Sequence, residues 1–264
     1  MTVTLKQLLE AGCHFGHQSR RWDPKMKQYL FAEREGVHIF DLVKTKEGLE
    51  RACEFVKDLV ANGGVVVMVG SKRQAEGIVK ETAKRVGMPY VTERWLGGTF
   101  TNFSQIHRRV ERMENLTAKR LTGDFKGLTK REQLLIDREI TDLERFFGGI
   151  RELKKIPEAV FIVDLHKEKT AVREARRMGV KVVGLVDSNA DPEGADIVIP
   201  ANDDAAKSVQ LIVEEIGRSI SEGKKMLEEK ESVDANKEEK AGGKGKKVTV
   251  VRKLDEVADQ PEEV

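Results

Sequence analysis

The chain has 264 residues, 39% hydrophobic and 35% charged, with a formal net charge of only +2. That length holds one large domain or a domain with an appendage, and so low an apolar fraction excludes a chain that is all core. Two cysteines, Cys13 and Cys53, exclude a disulfide framework. The start lacks a basic head with a long apolar run, and no apolar run approaches the roughly 20 residues of a membrane span, so a cytoplasmic protein is expected.

The first stretch with chemistry is AGCHFGHQSRRWDPKMKQYL, residues 11–30. Cys13, His14 and His17 lie close together, but His38, His107 and His166 are isolated. Zinc takes about four ligands, or three and a water, so a closed cysteine–histidine site is not expected. A mixed site remains open, joining a histidine to distant carboxylates such as Asp187, Asp191, Asp203 or Asp204. In the plainer reading Cys13 and His14 pack at the domain edge and His17 hydrogen-bonds locally. Pro24 forbids a continuous helix, so Arg20, Arg21, Trp22, Lys25 and Lys27 form a basic loop with an aromatic plane. Such a loop suits phosphate and base contact, or is a solvated loop with Trp22 tucked into the core.

Next comes a short strand at 36–42 and a helix over Lys44–Asn62 that Gly63 stops. GGVVVMVGS (63–71) reads as a buried strand, and a helix follows over Lys72–Val86. Lys72 and Arg73 at its start could reach a backbone phosphate, although the loop is neither a Walker loop nor G-x-G-x-x-G. Residues 88–96 are a shorter strand. Arg94, Trp95, Gly97, Gly98 and Asn102 then lead into the next segment, where the glycines permit a hinge or a close approach by a ligand or RNA backbone. Thr101 is placed to cap the helix that follows.

Residues 102–150 break the rhythm. Phe103, Ile106, Val110 and Met113, then Ile136, Ile140, Leu143, Phe147 and Ile150, step by threes and fours, which predicts a two-helix hairpin with a narrow apolar seam. Across 101–131 eight basic residues, among them Arg108, Arg109 and Arg112, face three acids, a footprint for polyanions. Strands resume at 157–165, 180–188 and 195–203, alternating with helices over Lys167–Met178 and Asp203–Ile220. Continuously apolar strands alternating with helices mean a parallel sheet covered on both faces. Asp187–Pro192 follows a strand end, where open α/β sheets place ligands, and is equally a set of turn formers. The expected organisation is an α/β domain (1–100 and 151–224), an inserted antiparallel coiled-coil hairpin (101–150) and a charged, disordered tail (225–264) in which 248–254 could form a brief strand.

In their order, AGCHFGHQSRRWDPKM, VVMVGSKRQAE, RWLGGTFTNF, the hairpin and DSNADPEGADIVIPANDDA resemble the bacterial family of small-subunit ribosomal protein two. The resemblance implies a flavodoxin-like, Rossmann-like α/β domain with a projecting coiled-coil hairpin. It implies a structural, non-catalytic constituent of the small ribosomal subunit that binds small-subunit rRNA and helps dock ribosomal protein one. Such a protein sits as a monomer among neighbouring small-subunit proteins. No cofactor is required, but some members carry zinc or magnesium, and the matching positions here are His17, Asp187 and Asp203. On this reading Arg20, Arg21, Trp22, Lys25, Lys27, Lys72, Arg73, Arg94, Trp95, Gly97, Gly98, Asn102, Arg108, Arg109 and Arg112 face RNA. The competing reading is a Rossmann-like enzyme binding a phosphorylated small ligand at the 70–74 loop and the 187–191 turn. The missing glycine fingerprint and the lack of a base–nucleophile pair count against it.

Overall fold

Strands apolar at every position need cover on both sides, and the architecture supplies it. The computed structural model describes residues 3–242. Its main sheet contains β4 (Val66–Val69), β5 (Tyr90–Val91), β6 (Ala159–Val163), β7 (Lys181–Val186) and β8 (Ile197–Pro200). All are parallel, in the order β5-β4-β6-β7-β8. Counted within this sheet that is 2-1-3-4-5, the flavodoxin-like winding, and the order reverses between β4 and β6.

The pleat sends alternate residues to opposite layers. Val66, Met68, Phe161, Val183, Leu185 and Ile199 face one layer, built with α2 (Leu42–Ala61), α3 (Arg73–Val86) and the start of α7 (Ala206–Gly242). Val67, Val69, Val160, Ile162, Val182 and Val186 face the other, which α6 (Lys169–Arg177) covers with Ala171, Val172 and Ala175.

The same second layer takes in the base of the hairpin. Ile106, Val110 and Met113 of α4 (Phe103–Thr122) and Leu143 and Phe147 of α5 (Lys130–Phe147) are buried with the sheet residues. The predicted seam therefore continues into the domain core at its base, while Ile136 and Ile140 are half-buried. Farther out, ion pairs cross the two helices, Arg112–Glu139 at 2.5 Å and Arg120–Asp137 at 2.8 Å. Thr129 and Glu132 form a reciprocal capping box that starts α5.

Three sequence expectations change. The 11–30 segment is more than a loop. After α1 (Leu5–Glu10), β1 (Phe15–Gln18) and β2 (Leu30–Arg34) pair antiparallel with β3 (Val37–Phe40) in a separate sheet of order β1-β3-β2. Second, Asn102, not Thr101, is the N-cap of α4, and it makes no side-chain cap. Third, α7 continues to Gly242 where disorder was expected from residue 225. Lys, Glu, Met, Leu and Ala are strong helix formers, so local propensity supplies a helix where apolar burial does not. The remainder of the expected tail, with 248–254, lies outside the described residues. Residues to Leu227 form one compact unit, hairpin included, and a second unit begins at Glu228. No helix among the described residues is long and apolar enough to cross a membrane.

Gly48 shows how tightly α2 seats on the sheet edge, since a Cβ there would overlap the Val198 carbonyl oxygen. Gly77, inside α3, meets nothing within 4 Å. Urea unfolding should therefore find Gly48→Ala destabilised by about 1–3 kcal/mol through overpacking. Gly77→Ala should gain up to about 1 kcal/mol from helix propensity.

Candidate functional site

Three consecutive strands end in aspartates: Asp164 just after β6, Asp187 just after β7 and Asp203 just after β8. Parallel strands bring these ends together, and all three residues are buried. Asp187 accepts hydrogen bonds from the Ser188 amide (2.6 Å) and hydroxyl (3.2 Å) and from the Asp203 amide (3.2 Å). Asp164 holds a left-handed backbone, φ 67°, and its carboxylate caps the Lys167 amide at 2.9 Å.

The small sheet brings His17 onto this cluster. Its backbone amide donates to Ser188 Oγ at 2.8 Å, Nδ1 lies 3.0 Å from Asp187, and Nε2 lies 3.3 Å from Asp204. The hydrogen bond to Asp187 outweighs burial and holds the imidazole above its ordinary pKa. His17 is thus tied across the chain, where the plainer sequence reading gave it a local bond. Cys13 is fully buried, and burial pushes its thiol up. His14 is half-buried, with its ring against Phe15.

From the opposite side comes Lys72. Its Nζ is 2.6 Å from Asp203 Oδ1, 2.6 Å from Asp204 Oδ1 and 3.4 Å from Asp164 Oδ2. Burial works against the ammonium, but these carboxylates outweigh it and hold the amine above its ordinary value. Asp203 is pushed up to about 8 by burial and by the Asp187 and Asp164 charges.

One ligand atom each from His17, Asp187 and Asp203 lies within 4.8 Å of the others. Asp203 Oδ2 is buried without a hydrogen-bond partner. An imidazole and two carboxylates, with Asp204 at the rim, form a donor set that fits zinc better than all-oxygen magnesium. Bound there, the ion would supply positive charge to a carboxylate-rich junction between the two sheets.

The residues expected to face RNA divide into two groups. Arg20, Arg21, Lys27, Arg73, Arg94, Arg108 and Arg109 are exposed, and none of them makes an ion pair among the described residues. Others are engaged within the protein. Lys72 is held by aspartates, Lys25 pairs with Asp191 (2.9 Å) and Glu193 (2.6 Å), and Arg112 pairs with Glu139. Trp95 is buried edge-on against Phe100, and the half-buried Trp22 packs on His38. Asn102 is exposed.

The double-glycine loop has an internal partner as well. Glu174 of α6, buried, accepts from the amides of Gly98 (2.6 Å), Phe100 (2.9 Å) and Thr101 (3.3 Å). Gly98, at φ 97°, supplies the left-handed turn that aims these amides at it. Gly97 is exposed, with open space around it. Three amides of this loop, expected to form a hinge or to let a ligand or RNA backbone approach, bond the chain's own carboxylate.

Neither Glu174 nor Asp164 stood out in the sequence. Asp164 was findable, because VDL, VDS and NDD each put an aspartate at a strand end. Glu174 sits among charged helix residues and carries no local signal.

The crevice at the strand-order reversal, where a doubly wound enzyme would take its ligand, is lined by Ser71 bonded to Glu168 and by Lys72 bonded to aspartates. The domain is therefore an α/β scaffold whose crevice lysine, Lys72, is taken up by its own aspartates, which is the class expected of a non-catalytic assembly protein. The family model described as Ribosomal protein S2 matches residues 8–223, and the chain belongs to this family. It is a structural, non-enzymatic family of ribosomal proteins. Similar proteins named small ribosomal subunit protein uS2 include that of Mycobacterium leprae, 51% identical over 221 residues, covering 84% of this chain and 80% of the relative. That of Mycobacteroides abscessus is 49% identical over 221 residues, covering 84% and 80%. That of Nocardia farcinica is 48% identical over 240 residues, covering 91% and 84%.

Glu174→Ala would leave the Phe100 amide buried and unpaired, and should cost about 1–3 kcal/mol in denaturant unfolding. Hydrogen exchange should speed up at Gly98, Phe100 and Thr101, whereas Glu174→Gln should keep part of the protection.

Proposed function

We propose that the chain is a structural constituent of the small ribosomal subunit that binds small-subunit rRNA with its unpaired surface arginines and lysines. The observation that carries this reading is the division of charges. Most acids near the strand ends have an internal cation, while Arg20, Arg21, Lys27, Arg73, Arg94 and Arg108 are exposed and make no ion pair among the described residues. Free guanidinium groups on a rigid frame suit phosphate contacts, and each contact releases counterions. On this reading 1–100 with 151–224 is the α/β domain and 101–150 is its inserted coiled-coil arm. The chain works in the cytoplasm as a single copy among neighbouring small-subunit proteins.

Docking of ribosomal protein one is part of the same reading. Phe15, 50% exposed, and Phe31, 77% exposed, are apolar side chains of the small sheet that support a protein contact. The His17, Asp187 and Asp203 cluster is read as a structural zinc site joining that small sheet to the main one.

Arg20→Glu with Arg21→Glu should lower incorporation into small subunits, measured by sedimentation of cells carrying tagged protein. Charge changes within 240–260 should leave it intact, and equal incorporation of both would overturn the RNA assignment. Zinc should raise the melting temperature of the purified chain, and His17→Ala should abolish the rise.

A further inference from the structure

The Lys72 ammonium is surrounded as a metal ion would be. Carboxylate oxygens of Asp203 and Asp204 each lie 2.6 Å from Nζ, and one of Asp164 lies at 3.4 Å. The side chain is only 15% exposed, and it enters from the loop after β4, beside the point where the strand order reverses. The more exposed Lys25 is held by two acids; Lys72 is held by three. Its position also leaves a consequence across the cluster. With Lys72 on Asp203 Oδ1, the buried Oδ2 of the same carboxylate has no hydrogen-bond partner.

We propose that Lys72 is a tethered cation that fills an all-oxygen position beside the His17–Asp187–Asp203 cluster, so that the strand-end aspartates take one divalent ion and not two. The inference rests on the reading of that cluster as a metal site, but it concerns the neighbouring position. Without the ammonium, carboxylates of Asp164, Asp203 and Asp204 would face a common point with nothing between them. Carboxylate oxygens alone are the donor set of a hard cation such as magnesium or manganese, whereas the imidazole-containing set next to it suits zinc. The covalent tether has a further effect. A cation built into the chain is present at folding whatever the surrounding metal concentration, and it cannot be removed by a chelator. Asp203 belongs to both positions, and Asp204, 52% exposed, also touches both Lys72 and His17.

The test compares the full wild-type chain with Lys72→Met, each offered one equivalent of zinc and then titrated with manganese. Bound manganese is counted by electron paramagnetic resonance, and melting is followed by circular dichroism. The expected result is that Lys72→Met binds about one more manganese per chain than wild type and is stabilised by it, while wild type shows neither effect. Adding Asp164→Ala to Lys72→Met should remove the extra ion. Equal manganese counts in the two chains would overturn the proposal, and so would a Lys72→Met chain that stays unfolded at every manganese concentration. Failure of the zinc reading registers separately, as wild type that holds no zinc, because the manganese difference between the chains is read independently of it.

Discussion

Repulsion among the strand-end carboxylates is the constraint around which this molecule is arranged. A parallel sheet aligns the carboxyl ends of its strands, and here Asp164, Asp187 and Asp203 converge in a buried space. Isolated buried carboxylates would be expensive, so the fold must bring positive charge or donors to them. It does so from both sides. Lys72 reaches in from the loop after β4, and the small sheet carries His17 in from the other direction. The N-terminal forty residues are therefore fastened to the main sheet by the charges they neutralise, and the His17 amide bond to Ser188 fixes the register of that attachment.

A second fastening acts at the base of the hairpin. Glu174 gathers three amides of the loop that leads into the hairpin, and the hairpin's own base is buried in the sheet's second layer. Together these contacts make the arm an extension of the core. On the proposed RNA-binding reading such a base is useful, because less freedom is lost on binding. The cross-helix ion pairs of Arg112 and Arg120 continue the stiffening outward and withdraw those two arginines from the free basic set.

The main sheet was legible because its strands are apolar at every position and its helices end at glycines. Periodicity alone was enough for β4, β6 and β7 and for the α4–α5 seam. Of the small sheet only β3 was legible, as the strand expected at 36–42. Its strands are four or five residues long, β2 is almost wholly exposed, and Pro24 and the basic residues between them look like a loop. Nor could sequence distinguish an arginine free for RNA from a lysine consumed inside the protein. Arg73 and Lys72 are adjacent, yet one is exposed and the other is bonded to Asp203, 131 residues away in the chain. The three members of the cation cluster were named through family resemblance and the mixed-site argument. Their convergence depends on strand order, which local patterns do not encode.

The same strand order explains why a fold shared with many enzymes is not used as one here. In a doubly wound sheet the crevice at the order reversal is where a ligand finds helix N-termini and loop amides. In this chain that space is already occupied by internal hydrogen bonds and ion pairs. Ser71 is bonded to Glu168, burial pushes that carboxyl up, and Lys72 is bonded to aspartates. A phosphate reaching for Lys72 would have to displace carboxylates from it, and would meet their repulsion while doing so. On the proposed reading, phosphate contacts fall to the exposed arginines that make no ion pair. Charge that stabilises the fold and charge available to a polyanion occupy separate residues, and the partition itself makes the domain a scaffold.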